Sequence, residues 1–212
     1  MLCSLPATLG CVHPWLAFLI GFKTLNRLHQ IVLIGALLPL CWLAMQVVHE
    51  GGHVLGAWLT GGQVQRVVLH PLAISRTDLA ENPHPLFVTW AGPVVGCFGP
   101  LLAWALAAYL RWPGSFVLRF FAGFCLVANG AYLAGGSLNA VGDAGDLLRH
   151  GASVWQLWAF GLLSIPAGFA VWNGQGADFG IGKSARPVSL WLSYACLAAL
   201  VALIAVEQAF FR

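Results

Sequence analysis

Charged residues are scarce in this chain. Asp, Glu, Lys and Arg make up 8% of its 212 residues, whereas a soluble domain carries roughly 25%. So little charge cannot cover a surface that faces water, and 59% of the residues are hydrophobic. The sequence therefore indicates a protein whose solvent is a lipid bilayer, with no room in its length for a separate soluble domain.

Other common features are also missing. The ten basic residues form no patch, which argues against a nucleic-acid partner. The six cysteines are not paired at metal-binding spacing and most lie in apolar runs, which favours small buried side chains over disulfides. Residues 1–22 are apolar without a basic start, so we do not expect a cleaved signal peptide. They form either an extra span or an interfacial segment.

Long apolar runs are what the chain does contain. A spanning helix needs about 20 residues, and five segments meet this length: residues 31–48, 86–110, 116–139, 155–172 and 188–206. The expected fold is an all-α integral membrane bundle of five transmembrane helices, or six if residues 1–22 also span.

The positions of these spans predict three regions in the chain and one interruption of the helical pattern. They are an N-terminal apolar segment (1–30), a membrane core (31–150) and two C-terminal transmembrane helices (151–212). Residues 63–77 mix valines with polar side chains, which predicts a short strand or hairpin. Such a segment must pair, pack on protein or lie at the membrane interface, because a bare strand edge cannot face lipid.

A metal-binding pattern lies in the first span. His49 and His53 are four residues apart, so on a helix they share one face and can bind the same ion. Glu50 can reach a water molecule bound to that ion. Zinc lowers the pKa of such a water to about 7, and a carboxylate can then take its proton. Composition alone predicts about 0.003 matches to this motif in the chain. The alternative is a pair of structural histidines, and a carboxylate at membrane depth argues against it because an unpaired one is costly there.

A catalytic zinc usually has three protein ligands. Asp143 and Asp146 are the only acids within residues 82–177. The alternation of spans brings them to the side of the membrane that the histidines approach. Asp143, which has small neighbours, is the preferred ligand, and Asp146 could orient a ligand. The alternative is that both acids flank a helix end and pair with Arg149. His150 is a weaker candidate.

Three motifs resemble one known family. The segment HEGGH at residues 49–53, followed by TGG at 60–62, resembles the zinc helix of the site-2 protease family of intramembrane zinc metalloproteases. AGP at 91–93 resembles the small-residue turn of the next helix in that family. GDAG at 142–145 resembles the Asp-Gly element that supplies the third zinc ligand. No inserted peptide-binding or regulatory domain separates these motifs.

The resemblance implies a zinc metalloendopeptidase. One Zn²⁺ would be held by His49, His53 and Asp143, and Glu50 would activate water to cut a membrane-spanning protein or peptide substrate. Residues 63–77 would be the membrane-associated β segment of the family. That segment would either bind an unwound substrate as an added strand or serve as a plain connecting hairpin.

The region before Asp143 departs from the family pattern, which has an Asn and prolines there. Residues 138–142 contain no proline. Asn139 and Asn129 are the candidates for binding substrate or an oxyanion, with interhelical hydrogen bonding as the plainer role. Two other functions therefore remain as alternatives, a non-catalytic zinc-binding membrane protein (a pseudoprotease or partner-binding scaffold) and a small transporter or channel.

The distribution of basic residues gives a weak orientation signal. Six lie on the side that precedes the first span and four on the other, which favours the starting side as cytoplasmic. The resemblance instead places the side of the zinc motif near the cytosol, and we adopt that orientation. The expected location is the bacterial cytoplasmic membrane, as an integral multi-pass protein.

Overall fold

The computed structural model describes residues 14–72 and 74–210. The elements, in chain order, are α1 (Pro14–Leu59), β1 (Gln63–Val68), β2 (Arg76–Glu81), α2 (Pro85–Tyr109), α3 (Ser115–Asn139), α4 (Gly142–Arg149), α5 (Val154–Trp172), a 3-10 helix (Gln175–Phe179) and α6 (Leu190–Phe210).

Five of these helices are long and apolar enough to cross a bilayer, namely α1 from Asn26 onward, α2, α3, α5 and α6. The expected class of fold, a helical membrane bundle with one small β segment, is confirmed. Large apolar side chains such as Leu102, Leu163 and Trp191 are mostly exposed on its outside. A bundle surrounded by lipid has no need to bury them.

The first helix is longer than the sequence suggested. It has 46 residues, which at about 1.5 Å per residue makes it roughly 69 Å long. Since the hydrocarbon core of a bilayer is about 30 Å thick, α1 must extend beyond it. Residues 14–22, expected to be part of a separate span or an interfacial segment, continue into α1 without a break. Residues 1–13 lie outside the described part of the chain.

The helices pack side by side in the order α5, α3, α2, α1, α6. Small residues allow close approach between them, as membrane helices commonly require. At Gly161 of α5, an added Cβ would lie 2.9 Å from the backbone oxygen of Gly130 in α3. In this arrangement α2 packs along α1, which carries the two histidines, and α3 also contacts α1.

The β segment is an antiparallel hairpin that packs on α1. Val67 of β1 lies opposite Thr77 of β2, and the second strand continues to Glu81, four residues past the predicted end. The loop that connects the two strands also contacts the C-terminal helix. The side-chain amide of Gln208 in α6 donates to Nε2 of His70 (3.2 Å).

A sharp turn leads from α3 into α4, a helix that the sequence did not indicate. Ala140 and Gly142 both have positive φ, 52° and 55°. This reverses the chain so that the short α4 lies against the bundle. Ala144 and Leu147 of α4 are fully buried in a cluster with Leu133 and Leu157. The apolar face of α4 thus fixes the position of its first turn, where Asp143 lies.

Candidate metal centre

Three side chains from α1 and α4 converge at one point. Nε2 of His49 lies 2.7 Å from Oδ2 of Asp143, and Nε2 of His53 lies 3.2 Å from the same oxygen. The two Nε2 atoms are 3.2 Å apart. A zinc ion with bonds of about 2.0–2.1 Å in tetrahedral geometry separates its ligands by about 3.3 Å. The three atoms therefore lie close to the spacing that one ion requires, and His49, His53 and Asp143 can hold a metal.

The other ring nitrogens show which tautomers the histidines adopt. Nδ1 of His53 is 2.9 Å from the backbone oxygen of Val88, which can only accept, so Nδ1 carries the proton. Nδ1 of His49 is 2.6 Å from Oδ1 of Asn129. The amide cannot be reversed without losing its own bond, because Nδ2 of Asn129 donates to the backbone oxygen of Cys125 (2.9 Å).

Both histidines therefore present an Nε2 lone pair to each other and to a carboxylate oxygen. Three electron-rich atoms within 3.2 Å repel one another unless a cation lies among them. Two neutral imidazoles and one carboxylate form a donor set that suits zinc, and each imidazole is oriented by a hydrogen bond from its far nitrogen. The residues present thus fit a bound zinc ion.

Asp143 is ionised in this setting. Its burial alone would raise the pKa of the carboxyl group. When the imidazoles of His49 and His53 also carry a proton at Nε2, their hydrogen bonds and charges act in the opposite direction and prevail, so that the pKa of Asp143 lies below its usual value. Its place in the first turn of α4 also favours the negative charge.

Glu50 is buried beside the three donors, and its side chain is fixed by the hairpin. The hydroxyl of Thr77 in β2 donates to Oε2 of Glu50 (2.7 Å). The carboxylate is also close enough to His53 and Tyr132 to interact with them electrostatically. Glu50 therefore lies near the donor cluster without being one of its three converging members.

The second helix contributes space to the centre. A Cβ on Gly92 would overlap the imidazole ring of His53. A Cβ on Gly96 would lie 2.9 Å from the amide of Asn129. Gly52 of α1 itself presses against the backbone of Ala91 and Gly92. The AGP segment at 91–93 therefore lies at a close approach of α1 and α2, and the absence of a side chain on Gly92 lets the His53 ring reach its position.

The remaining predicted site residues divide into two groups. Asn129 is buried and contacts His49, as described above. Asp146 instead forms an ion pair with Arg149 (2.8 Å), and His150 hydrogen-bonds the backbone oxygen of Asp146. Asn139 is exposed at the last turn of α3, and no described contact joins it to the histidines. Asp146, His150 and Asn139 thus lie outside the cluster.

Two further residues contact the centre without having been foreseen. The hydroxyl of Tyr132 accepts a hydrogen bond from the backbone N–H of Asp143 (3.2 Å), and its ring lies edge-on to that of His49 at 5.8 Å. The other residue is Thr77, the partner of Glu50. One signal was available for Tyr132, since it lies three residues after Asn129 and so shares its helix face. For Thr77 the pairing of the hairpin was needed.

These observations define a class of protein, a multi-pass helical membrane protein with a His-His-Asp group that can hold a metal ion. The sequence profile of the Peptidase M50B-like family matches residues 17–134. The match covers more than half of the chain, and the chain belongs to this family, which confirms the resemblance to site-2 proteases. No curated protein and no solved structure matches the chain.

Proposed function

We propose that this protein is an intramembrane zinc endopeptidase that hydrolyses a peptide bond in or near a transmembrane segment. In this proposal His49, His53 and Asp143 bind one Zn²⁺ and Glu50 is the general base. The observation that carries it is the convergence of three electron-rich atoms within 3.2 Å in a chain of the Peptidase M50B-like family. Membership of the family supports a protease, and the donor set supports zinc as its metal.

Bound zinc supplies a Lewis acid that acidifies water and polarises a carbonyl group. Glu50 takes the proton from the attacking water and later delivers it to the leaving amine. The Thr77 hydroxyl keeps Oε2 of Glu50 in place, so that the other carboxylate oxygen, Oε1, can face the water. Asn129 and the Val88 carbonyl keep the two imidazoles in the tautomer that leaves Nε2 free for the metal.

The hairpin is the proposed binding place for the substrate. In the described part of the chain its two strands pair only with each other, so each keeps one unpaired edge. A transmembrane substrate must unwind before a protease can reach its peptide bond, and an extended segment can then pair with a strand edge. Because Thr77 lies in β2, a substrate on this hairpin would lie next to Glu50.

The proposed location is the bacterial cytoplasmic membrane, with the metal centre near the cytoplasmic side. Five apolar helices and the membrane-embedded family support a multi-pass membrane protein. The orientation rests on the family resemblance and is opposite to the weak charge count.

The test is Glu50→Gln in the full-length protein in detergent or liposomes. We expect this variant to bind zinc as the wild type does and to lose cleavage of a panel of single-span substrates by at least about 100-fold, since general-base catalysis is worth roughly 10²–10⁴. Asp178→Asn is the control, because Asp178 lies in the 3-10 helix, outside the hairpin and the metal centre, where it forms an ion pair with Arg186 (3.1 Å). Full activity in Glu50→Gln would contradict the mechanism.

The second candidate is a non-catalytic zinc-binding membrane protein. It is favoured by the absence of prolines in residues 138–142 and by the end of the family match at residue 134, before Asp143. It predicts stoichiometric zinc without cleavage of any substrate, and a fourth protein ligand that closes the site. The contacts of Asp146 with Arg149 and of His150 with Asp146 direct both nearby donors away from such a role.

A further inference from the structure

Tyr132 lies at the metal centre without any role in the proposed donor set. It is on α3, one turn after Asn129, and its ring meets that of His49 edge-on at an angle of 78°. Its hydroxyl oxygen accepts the backbone N–H of Asp143. The phenol is therefore fixed at both ends, by a ring contact with one proposed zinc ligand and by a hydrogen bond from the backbone of another.

The turn before α4 is shaped around this hydroxyl. Gly142 has φ of 55°, and a Cβ there would overlap the Tyr132 oxygen. The phenol also interacts electrostatically with the carboxylates of both Asp143 and Glu50. The hydroxyl thus lies against the backbone of the proposed third ligand, and the phenol is within electrostatic range of the proposed general base.

The hydroxyl has an unused donor. Its oxygen accepts from Asp143, and among the described residues its hydrogen has no acceptor. Tyr132 is 38% exposed, so a bound peptide can reach it. The ring cannot move far, since His49 and the Gly142 turn hold it from two directions. A fixed donor that faces the reacting group is the element that stabilises a developing oxyanion.

We propose that Tyr132 is a further catalytic residue, which donates its hydroxyl hydrogen bond to the oxygen of the scissile carbonyl as that oxygen becomes negative. This rests on the proposed endopeptidase function. Water oxygen bonds to the carbonyl carbon, the π electrons move to the carbonyl oxygen, and Glu50 takes the water proton. When the oxyanion collapses, the C–N bond breaks and the proton passes to the amine. Tyr132 keeps its own proton throughout.

The first experiment is Tyr132→Phe, which keeps the ring contact with His49 and removes only the hydroxyl. We expect kcat to fall about 100-fold or more, as for loss of one oxyanion donor. KM should change by less than about threefold, because the contact forms mainly in the transition state. Zinc content should be unchanged. Tyr109→Phe is the matched control, since Tyr109 is 83% exposed at the end of α2, and it should behave as the wild type.

The second experiment reads the same contact without turnover. A phosphinic peptide carries a tetrahedral anionic oxygen like that of the intermediate, and its affinity is measured by calorimetry on zinc-loaded protein. We expect Tyr132→Phe to bind it at least about tenfold more weakly than the wild type and Tyr109→Phe to bind it equally well. Equal affinity in Tyr132→Phe would overturn the proposal, as would unchanged kcat.

Two outcomes distinguish failure of the role proposed for Tyr132 from failure of the proposed endopeptidase function. If Tyr132→Phe loses zinc, the hydroxyl serves to hold Asp143 and the catalytic role is overturned. If the wild type cleaves no substrate and yet binds the phosphinic peptide in a Tyr132-dependent way, the endopeptidase function fails while the donor assigned to Tyr132 stands. Thermal unfolding of each variant shows that the comparison is made between folded proteins.

Discussion

Nδ1 of His49 and Oδ1 of Asn129 lie 2.6 Å apart at the contact between α1 and α3. The same amide uses its nitrogen to bond the backbone of its own helix at Cys125. One side chain therefore sets both the rotation and the tautomer of a proposed zinc ligand. The space for it comes from Gly96 on the neighbouring helix, where any larger residue would meet the amide.

We expect Asn129→Leu to weaken zinc binding by about 10–100-fold, the usual cost of removing a group that orients a metal-binding histidine. Leucine keeps most of the volume but leaves the N–H of His49 without an acceptor in a buried place. The measurement is a competition titration against a chromophoric chelator. Asn139→Leu serves as the control because Asn139 is exposed at the end of the same helix. Equal affinities in the two variants would contradict this reading.

The two acids of α4 provide a second prediction. Asp143→Ala should lower zinc affinity by at least about 100-fold, because removal of a ligand costs more than removal of a group that orients one. Asp146→Ala should leave it within about threefold, since an exposed ion pair such as that of Asp146 with Arg149 contributes little. Metal analysis of the two purified variants measures this difference. Zinc loss in Asp146→Ala alone would reverse the assignment.

Adjacent glycines of the motif should respond in opposite ways to the same change. A Cβ on Gly52 would lie 2.8 Å from Cα of Gly92, whereas nothing lies within 4 Å of a Cβ on Gly51. Gly52→Ala should therefore destabilise the fold by about 1–3 kcal/mol, as overpacking does, and weaken zinc binding through the displaced His53. Gly51→Ala should be neutral, or stabilising by up to about 1 kcal/mol from helix propensity. Thermal unfolding in detergent compares the two variants. Equal melting temperatures would contradict the prediction, because they would mean that α1 and α2 accommodate the added methyl group without loss of stability.

The sequence was informative wherever a short-range period decides the structure. Apolar length predicted the five spans, and the four-residue spacing of His49 and His53 predicted their common face. The convergence of Asp143 with them was also predictable, because the alternation of spans brings the end of α3 to that level. The small neighbours of Asp143 favoured it over Asp146 as the ligand, and the family resemblance implied the same choice. The short α4 that carries Asp143 gave too weak an apolar pattern to be recognised.

Contacts that depend on close packing could not be foreseen. The bond between Thr77 and Glu50 requires the register of the hairpin and its position over α1. The place of Tyr132 requires two successive departures from helical backbone, at Ala140 and Gly142. Neither feature leaves a periodic trace in the sequence, since each depends on how two distant segments meet in space.

The hydrogen bond between Gln208 and His70 connects the C-terminal helix α6 to the loop of the hairpin. The last helix supports the hairpin from one side, and the hairpin holds Glu50 through Thr77 on the other. The C-terminal helix lies beyond the family match. It is thus connected to the proposed base through the hairpin, by one side-chain hydrogen bond at His70 and another at Thr77. A chain shortened to residues 14–189 would keep every metal-binding donor described above and would lose the outer support of the strand that orients Glu50. The structure thus connects the hairpin that holds Glu50 to a helix beyond the residues that match the family.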